Sequence, residues 1–467
     1  MSRRRSATAL CLCLAAGLPG RASAQADIAT TYRAAADSLI RGATADSSAY
    51  RRLGRLVDTF GPRLSGSASL EAAIDWVLDA MKADGLENVR GEPVMVPRWV
   101  RGVESAELVK PRRASLAMLG LGGSVGTPKG GITAPVFVVG SLEELERRPA
   151  AATGKIVLLD VPFTEYTATR HVRTDGPSAA ARAGAVACLI RSVASFSMRN
   201  PHTGATLYDS TAARIPAAAL SVEDAMMLHR LQDRGEPMVV TLRMGARTLS
   251  DAPSRNVVAE IVGRERPDEV VVLGGHIDSW DVGQGAMDDG GGSVAAWEAV
   301  RLMQRLGLRP RRTVRVVLWT NEENGSRGAE AYARTHATER HVMAMESDNG
   351  VFNPRGYVLG GSDSAAAVVR QVAALMQPIG ATGVQRVEGS PAADTEPLAA
   401  AGVPAMELDV DGSRYFWYHH SDADMLDKLD PGELARCVAA MAVMAYVVAD
   451  LPEGLWAEGL KGEKTER

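Results

Sequence analysis

Val270-Val271-Val272-Leu273-Gly274-Gly275-His276-Ile277-Asp278 starts as an unbroken apolar run and ends on a histidine and an acid. Further on, Asp288-Asp289 precede Gly290-Gly291-Gly292, and helical apolar spacing then runs to Leu306. A strand apolar on both faces, followed by a helix, is the building unit of a sheet covered on both sides. The same alternation continues. Strands are predicted over Val257–Val262, Val270–Gly274, Thr313–Thr320, Val342–Met345, Tyr357–Leu359 and Ala405–Val410, and helices over Gly291–Leu306, Gly328–His336, Ser364–Met376 and Pro431–Ala449. The fold class is therefore α/β.

Upstream, residues 27–85 carry apolar side chains at three- and four-residue spacing and read as helices, and Val89–Trp99 reads as a strand. From 105 to 135 the chain turns rich in Gly, Ser and Pro, which is read as a boundary zone. A smaller α/β unit is expected next, with strands near 136–139, 155–159, 185–190, 215–222 and 238–244 and a helix over 176–184. The expected organisation is a signal segment at 1–24, a main domain split into 25–125 and 246–452, an insert at 126–245, and a polar tail at 453–467.

Of 467 residues, 46% are hydrophobic and 23% charged, which fits a globular chain and excludes disordered, collagen-like and coiled-coil classes. With 52 Lys and Arg against 56 Asp and Glu, the balance also argues against nucleic acid as a partner, which needs a basic patch. Arg3-Arg4-Arg5, the apolar stretch Ala7–Leu18 and Ala22-Ser23-Ala24 have the layout of an export signal, too short in its apolar part to span a bilayer. A secreted or periplasmic location follows. No other stretch is read as long and apolar enough to cross a membrane. Cys188 and Cys437 lie in apolar runs and are expected as buried free thiols.

The chemistry gathers where the predicted strands end. His276 and Asp278 follow the first, Asn321-Glu322-Glu323 the second, Glu346-Ser347-Asp348 the third, and Tyr418-His419-His420-Ser421-Asp422 comes after the last. In α/β sheets the carboxyl ends of strands form the functional crevice. Acids crowded behind buried strands repel one another unless a cation neutralises them. Histidine combined with carboxylate oxygens suits zinc or a similar divalent ion.

The string from Gly275 to Gly290 resembles the metal-site signature of the co-catalytic zinc exopeptidases, and in particular their carboxypeptidase Q (plasma glutamate carboxypeptidase)-like branch. Leu318–Glu323, Met345–Asp348 and His419-His420-Ser421 are similar to the later motifs of that family. The stretch 189–204 is similar to its inserted protease-associated domain. The resemblance covers nearly all of the chain after the signal. It implies a three-layer mixed-sheet peptidase domain with a smaller α/β insert.

By the same resemblance, His276, Asp288, Glu323, Asp348 and His420 hold two zinc ions. Asp288 bridges them, Glu323 and His420 complete one site, and His276 and Asp348 complete the other. Glu322 is the general base. Asp278 orients His276 through the second ring nitrogen. The substrate is a short peptide, and relatives suggest a homodimer. Carboxypeptidase or dipeptidase action is the leading expectation, with aminopeptidase action on the same site as the alternative.

Two other classes are weaker. Gly122-Gly123-Ser124-Val125-Gly126 fits the pattern of a serine-hydrolase elbow, but Thr127-Pro128 cannot open the helix that motif requires. A receptor-like binding protein on the same scaffold would have lost metal ligands, and here every ligand position is filled.

Overall fold

The computed structural model describes residues 28–45 and 47–455. The signal segment at 1–24 and most of the tail at 453–467 lie outside the described residues.

The main sheet has eight strands, in the spatial order Glu87–Val100, Arg247–Ile261, Arg312–Trp319, Arg266–His276, Arg340–Glu346, Ala405–Val410, Pro354–Gly360 and Gly383–Val387. The four at its centre, from Arg312–Trp319 to Ala405–Val410, run parallel to one another. The flanking pairs are antiparallel, except that Pro354–Gly360 and Gly383–Val387 pair in parallel. The sheet is therefore mixed, and its carboxyl ends converge at the centre.

Helices cover both faces. On one side Ile28–Thr44, Ser48–Phe60, Ala68–Ala83, Gly291–Arg305, Asp363–Ala373 and Pro431–Asp450 share one large core with the strands. On the other, Arg327–Thr335 and Glu396–Ala400 pack Ala329, Tyr332 and Leu398 against Val272, Val317 and Trp319. The result is the expected three-layer α/β architecture.

Pro431–Asp450 corrects one expectation, since by length and composition it could span a bilayer. Most of its residues are buried among the helices and strands of the core, which accounts for its apolar sequence. Asp430 caps it by accepting from the Gly432 and Glu433 amides, with Pro431 in the first turn.

A second eight-stranded sheet runs in the order Ala114–Leu116, Glu104–Lys110, Val239–Met244, Ile132–Val139, Ile156–Leu159, Ala187–Arg191, Ala217–Leu220 and Met118–Gly120. The chain thus changes sheets between Val100 and Glu104, well before the expected division at 125/126. The edge strands Ala114–Leu116 and Met118–Gly120 are only three residues long, and the Gly-rich loop that follows to Gly131 gives the segment the composition of a linker. The chain returns to the main sheet between Met244 and Arg247.

Cys188 and Cys437 are buried free thiols. Ser124 is buried in this second unit, where its hydroxyl donates to the Val125 carbonyl and accepts from the Ala217 amide. It sits in a turn, with no helix after it.

Candidate metal centre

The strand Arg266–His276 delivers His276 to the centre of the crevice with 0% exposure. After Gly285 the chain makes a tight buried turn through Asp288 and Asp289, joined by a cis peptide bond, into the helix Gly291–Arg305. Asp289 anchors that turn: its carboxylate accepts from the His276 amide at 3.1 Å and from the Gly292 amide at 3.0 Å. A Cβ at Gly292 would lie 1.8 Å from the Ser347 carbonyl, so only glycine lets the helix start approach the next strand. Asp424 fixes the other side of the turn by accepting from the Ala286, Met287 and Asp288 amides. Burial, with Asp288 beside it, pushes the Asp424 carboxyl up to about 7.

The expected ligand residues meet here. His276 Nε2 lies 3.3 Å from Asp288 Oδ1 and 3.2 Å from Asp348 Oδ1. His420 Nε2 lies 3.3 Å from Asp288 Oδ2 and 3.0 Å from Glu323 Oε2. The two oxygens of Asp288 therefore face two separate pairs of donors. Donors about 2.0–2.2 Å from a tetrahedral zinc stand roughly 3.3 Å from one another, which is the spacing found in both groups. Asp288 Oδ2 is also buried without a hydrogen-bond partner, so a lone pair points into the shared space. The residues present fit a pair of zinc ions.

Electrostatics support the same conclusion. Burial first, then Asp348 and Asp288, drive Glu322 well above the ordinary carboxylate range. Burial, followed by Asp288, does the same to Glu323. For His276, burial opposes protonation but is outweighed by Asp348 and Asp288, so its pKa rises. Without cations these groups take up protons and share them, and dications remove that need.

His419 stacks on His420 with ring centroids 3.5 Å apart, and among the described carboxylates it pairs with Asp288 alone, at 3.6 Å. His420 has positive φ, as does Asn321, whose amide donates to Ser65 Oγ and Asn324 Oδ1. Asn is among the few side chains that accept this conformation readily.

Asp278 is placed differently from expectation. His276 Nδ1 has the Asp278 main-chain oxygen at 3.0 Å, whereas the Asp278 carboxylate stands 3.9 Å away. That carboxylate instead accepts from the Glu322 amide and from Ser65 Oγ, each at 3.1 Å. The chain bends at Ile277, directly after the strand, so that the Asp278 carbonyl meets the ring while its side chain meets the Glu322 amide. Asp278 thus holds Glu322 directly and His276 through the backbone.

The unit built on the second sheet reaches into this site. His202 Nδ1 meets the His419 carbonyl at 2.6 Å, and the Thr203 amide donates to the His420 carbonyl at 2.8 Å. Burial lowers His202 to about 4, so it is neutral and donates from Nδ1. Arg173 lies 3.4 Å from His420 Nδ1 and donates to the Tyr166 hydroxyl. Both units line one cleft of about 780 Å³, with Tyr166, Arg170 and Arg173 facing Glu322, Asp348 and Glu407.

Comparison with known proteins agrees with this geometry. Residues 256–445 match peptidase family M28. Carboxypeptidase Q of Mus musculus is 49% identical over 409 residues, covering 87% of this chain and 86% of that protein. The crystal structure of a peptidase M28 precursor from Shewanella amazonensis superposes with a TM-score of 0.88 at 34% identity, covering 91% of this chain and 98% of that one. BSAP, a zinc aminopeptidase from Bacillus subtilis, shares the fold at a TM-score of 0.65 and 19% identity, over 87% of this chain and 96% of its own. The chain belongs to peptidase family M28, as a carboxypeptidase Q-like zinc exopeptidase.

Proposed function

We propose that this enzyme hydrolyses dipeptides and short peptides in the manner of a carboxypeptidase or dipeptidase, with Glu322 as general base. The single observation that carries this reading is Asp288, whose two carboxylate oxygens each lie 3.3 Å from a separate histidine, each histidine itself 3.0–3.2 Å from a second carboxylate. His276 and Asp348 would hold one zinc ion, Glu323 and His420 the other, and Asp288 would bridge them. When bound, the ions polarise the scissile carbonyl and lower the pKa of a coordinated water from about 15.7 towards about 7.

Glu322 does the proton work. It is the neighbour of a ligand without being one, its side chain is 25% exposed to the cleft, and its amide is tied to Asp278. From there its carboxylate takes the proton of the attacking water and returns it to the departing amine. Trp280 supports the adjoining ligand by donating its amide to Glu323 Oε1 at 2.9 Å. The unit 104–244 we assign as the protease-associated insert, whose role is to close the cleft and to buttress the His419-His420 loop.

Residues 1–24 we assign as an export signal, placing the mature enzyme outside the cytoplasm.

The test is hydrolysis of free, N-blocked and C-amidated dipeptides by the zinc-loaded protein. The expected result is cleavage of free dipeptides that is lost on C-terminal amidation. Equal cleavage of amidated and free dipeptides would overturn the carboxypeptidase reading in favour of an aminopeptidase.

A further inference from the structure

The central strand Ala405–Val410 presents Met406, Leu408 and Val410 to the helix-packed core. By alternation Glu407 faces the other way, and it lines the cleft beside Asp348 and Asn349. It is only 8% exposed. One carboxylate oxygen accepts from the Asn349 side-chain amide. Among the described residues, no Lys, Arg or His pairs with it.

Its neighbours worsen the position. Glu407 stands directly opposite Glu346 in the parallel register. Glu346 is fully buried, with Oε2 held by the Asp394 and Thr395 amides and Oε1 without any partner. Like charges directly opposite on one sheet face destabilise it, and a buried carboxylate without a cation is costly. The zinc-ligand geometry does not use Glu407, so the metal pair does not account for a buried carboxyl at this place. What remains is the cleft itself, the open side from which a cation can arrive.

We propose that Glu407 is a specificity-determining residue that receives an alkylammonium group of the peptide substrate, on the Asp348 side of the cleft. The proposal rests on the peptidase reading above. The ammonium has two possible sources, the free amino terminus or a lysine-type side chain, and both offer the same chemistry to the carboxylate. A charge-assisted bond of this kind is worth about tenfold or more in affinity. Glu407→Gln retains the shape and the bond to Asn349 while deleting the charge.

The test uses three matched ligands: Lys-Leu, norleucyl-Leu and hexanoyl-Leu, the last lacking the α-amine. Their affinities are measured by calorimetry on zinc-loaded Glu322→Gln protein, with and without Glu407→Gln. KM and kcat are measured in parallel on wild type and Glu407→Gln. If the side chain is the source, Lys-Leu loses at least about tenfold in affinity relative to norleucyl-Leu. If the amino terminus is the source, both lose about tenfold relative to hexanoyl-Leu. In either case the kinetic effect falls on KM. Losses that do not follow the ammonium group, equal affinities with and without the substitution, or no binding of Lys-Leu at all would each overturn the proposal. Should the wild type cleave none of the three, the exopeptidase reading fails, while the affinities still decide the role of Glu407.

Discussion

Replacing Arg63 by Met should loosen the metal loop by a calculable amount. Arg63 has 0% exposure, and its guanidinium donates to four carbonyls: Gly61 and Gln284 from Nη1, Ile277 from Nε, and Gly285 from Nη2. Three of these belong to the loop between His276 and Asp288. Burial lowers its pKa to about 10, so it stays charged at neutral pH amid Asp424, Asp278, Asp289 and Glu323. A buried acceptor left unsatisfied costs about 1–3 kcal/mol, giving roughly 3–9 kcal/mol for the three loop carbonyls. Water entering the vacated space recovers part of this. We take about 4 kcal/mol, close to a thousandfold in the local opening equilibrium.

Hydrogen exchange read by mass spectrometry at equal metal content measures that equilibrium segment by segment. The Ala286, Met287 and Asp288 amides, all bonded to Asp424, are the reporters. They should exchange about a thousandfold faster in Arg63→Met, while the strand Ala217–Leu220 of the second sheet should not change. Acceleration below about fivefold would refute the reasoning, because it corresponds to only about 1 kcal/mol.

Other consequences are equally open to measurement. Glu322→Gln should keep its zinc but lose about 10²–10⁴ in kcat, measured on any cleaved dipeptide, and a near wild-type rate would remove Glu322 from the base role. Gly122→Ala should cost about 1–3 kcal/mol in thermal denaturation, since its Cβ would fall 1.9 Å from the ring of buried Trp280. His336 lies 2.9 Å from Glu339 and 3.0 Å from Glu92; burial opposes its protonation, but these two acids outweigh it and raise its pKa. Glu339 is pushed down to about 2, its burial outweighed by bonds from His336 and Arg315. The His336 contribution is present below about pH 6.5 and lost as pH rises through its raised value, and the Glu339 contribution is present above about 4.3 and lost as pH falls towards its lowered one. His336→Gln should therefore lower the melting temperature more at pH 5.5 than at pH 8.5, and an equal or reversed effect would contradict this.

The metal centre was legible because its residues stand at the ends of consecutive apolar strands, where chain order and sheet order coincide closely enough for His276, Glu322, Glu323 and Asp348 to meet. The rest depended on contacts far apart in the chain. Nothing near Arg63 in sequence announces that it grips carbonyls more than two hundred residues away. His202, Tyr166 and Arg173 belong to the unit built on the other sheet, and only tertiary packing brings them to His419 and His420. Glu407 was hidden inside a run read as an apolar strand. The strand Gly383–Val387 lacked a buried face, so no alternation marked it. Asp278 reaches the expected ring nitrogen of His276 through its main-chain oxygen and not its carboxylate, a contact that leaves no signature in a sequence.

The central claim is that a pair of zinc ions makes this crowd of buried acids tolerable. Elemental analysis of the purified mature protein, paired with peptide hydrolysis before and after exhaustive EDTA dialysis, tests it most directly. Close to two zinc ions per chain, with activity abolished by dialysis and restored by added zinc, is the predicted result. A protein without bound zinc that cleaves peptides at an undiminished rate after dialysis would contradict it.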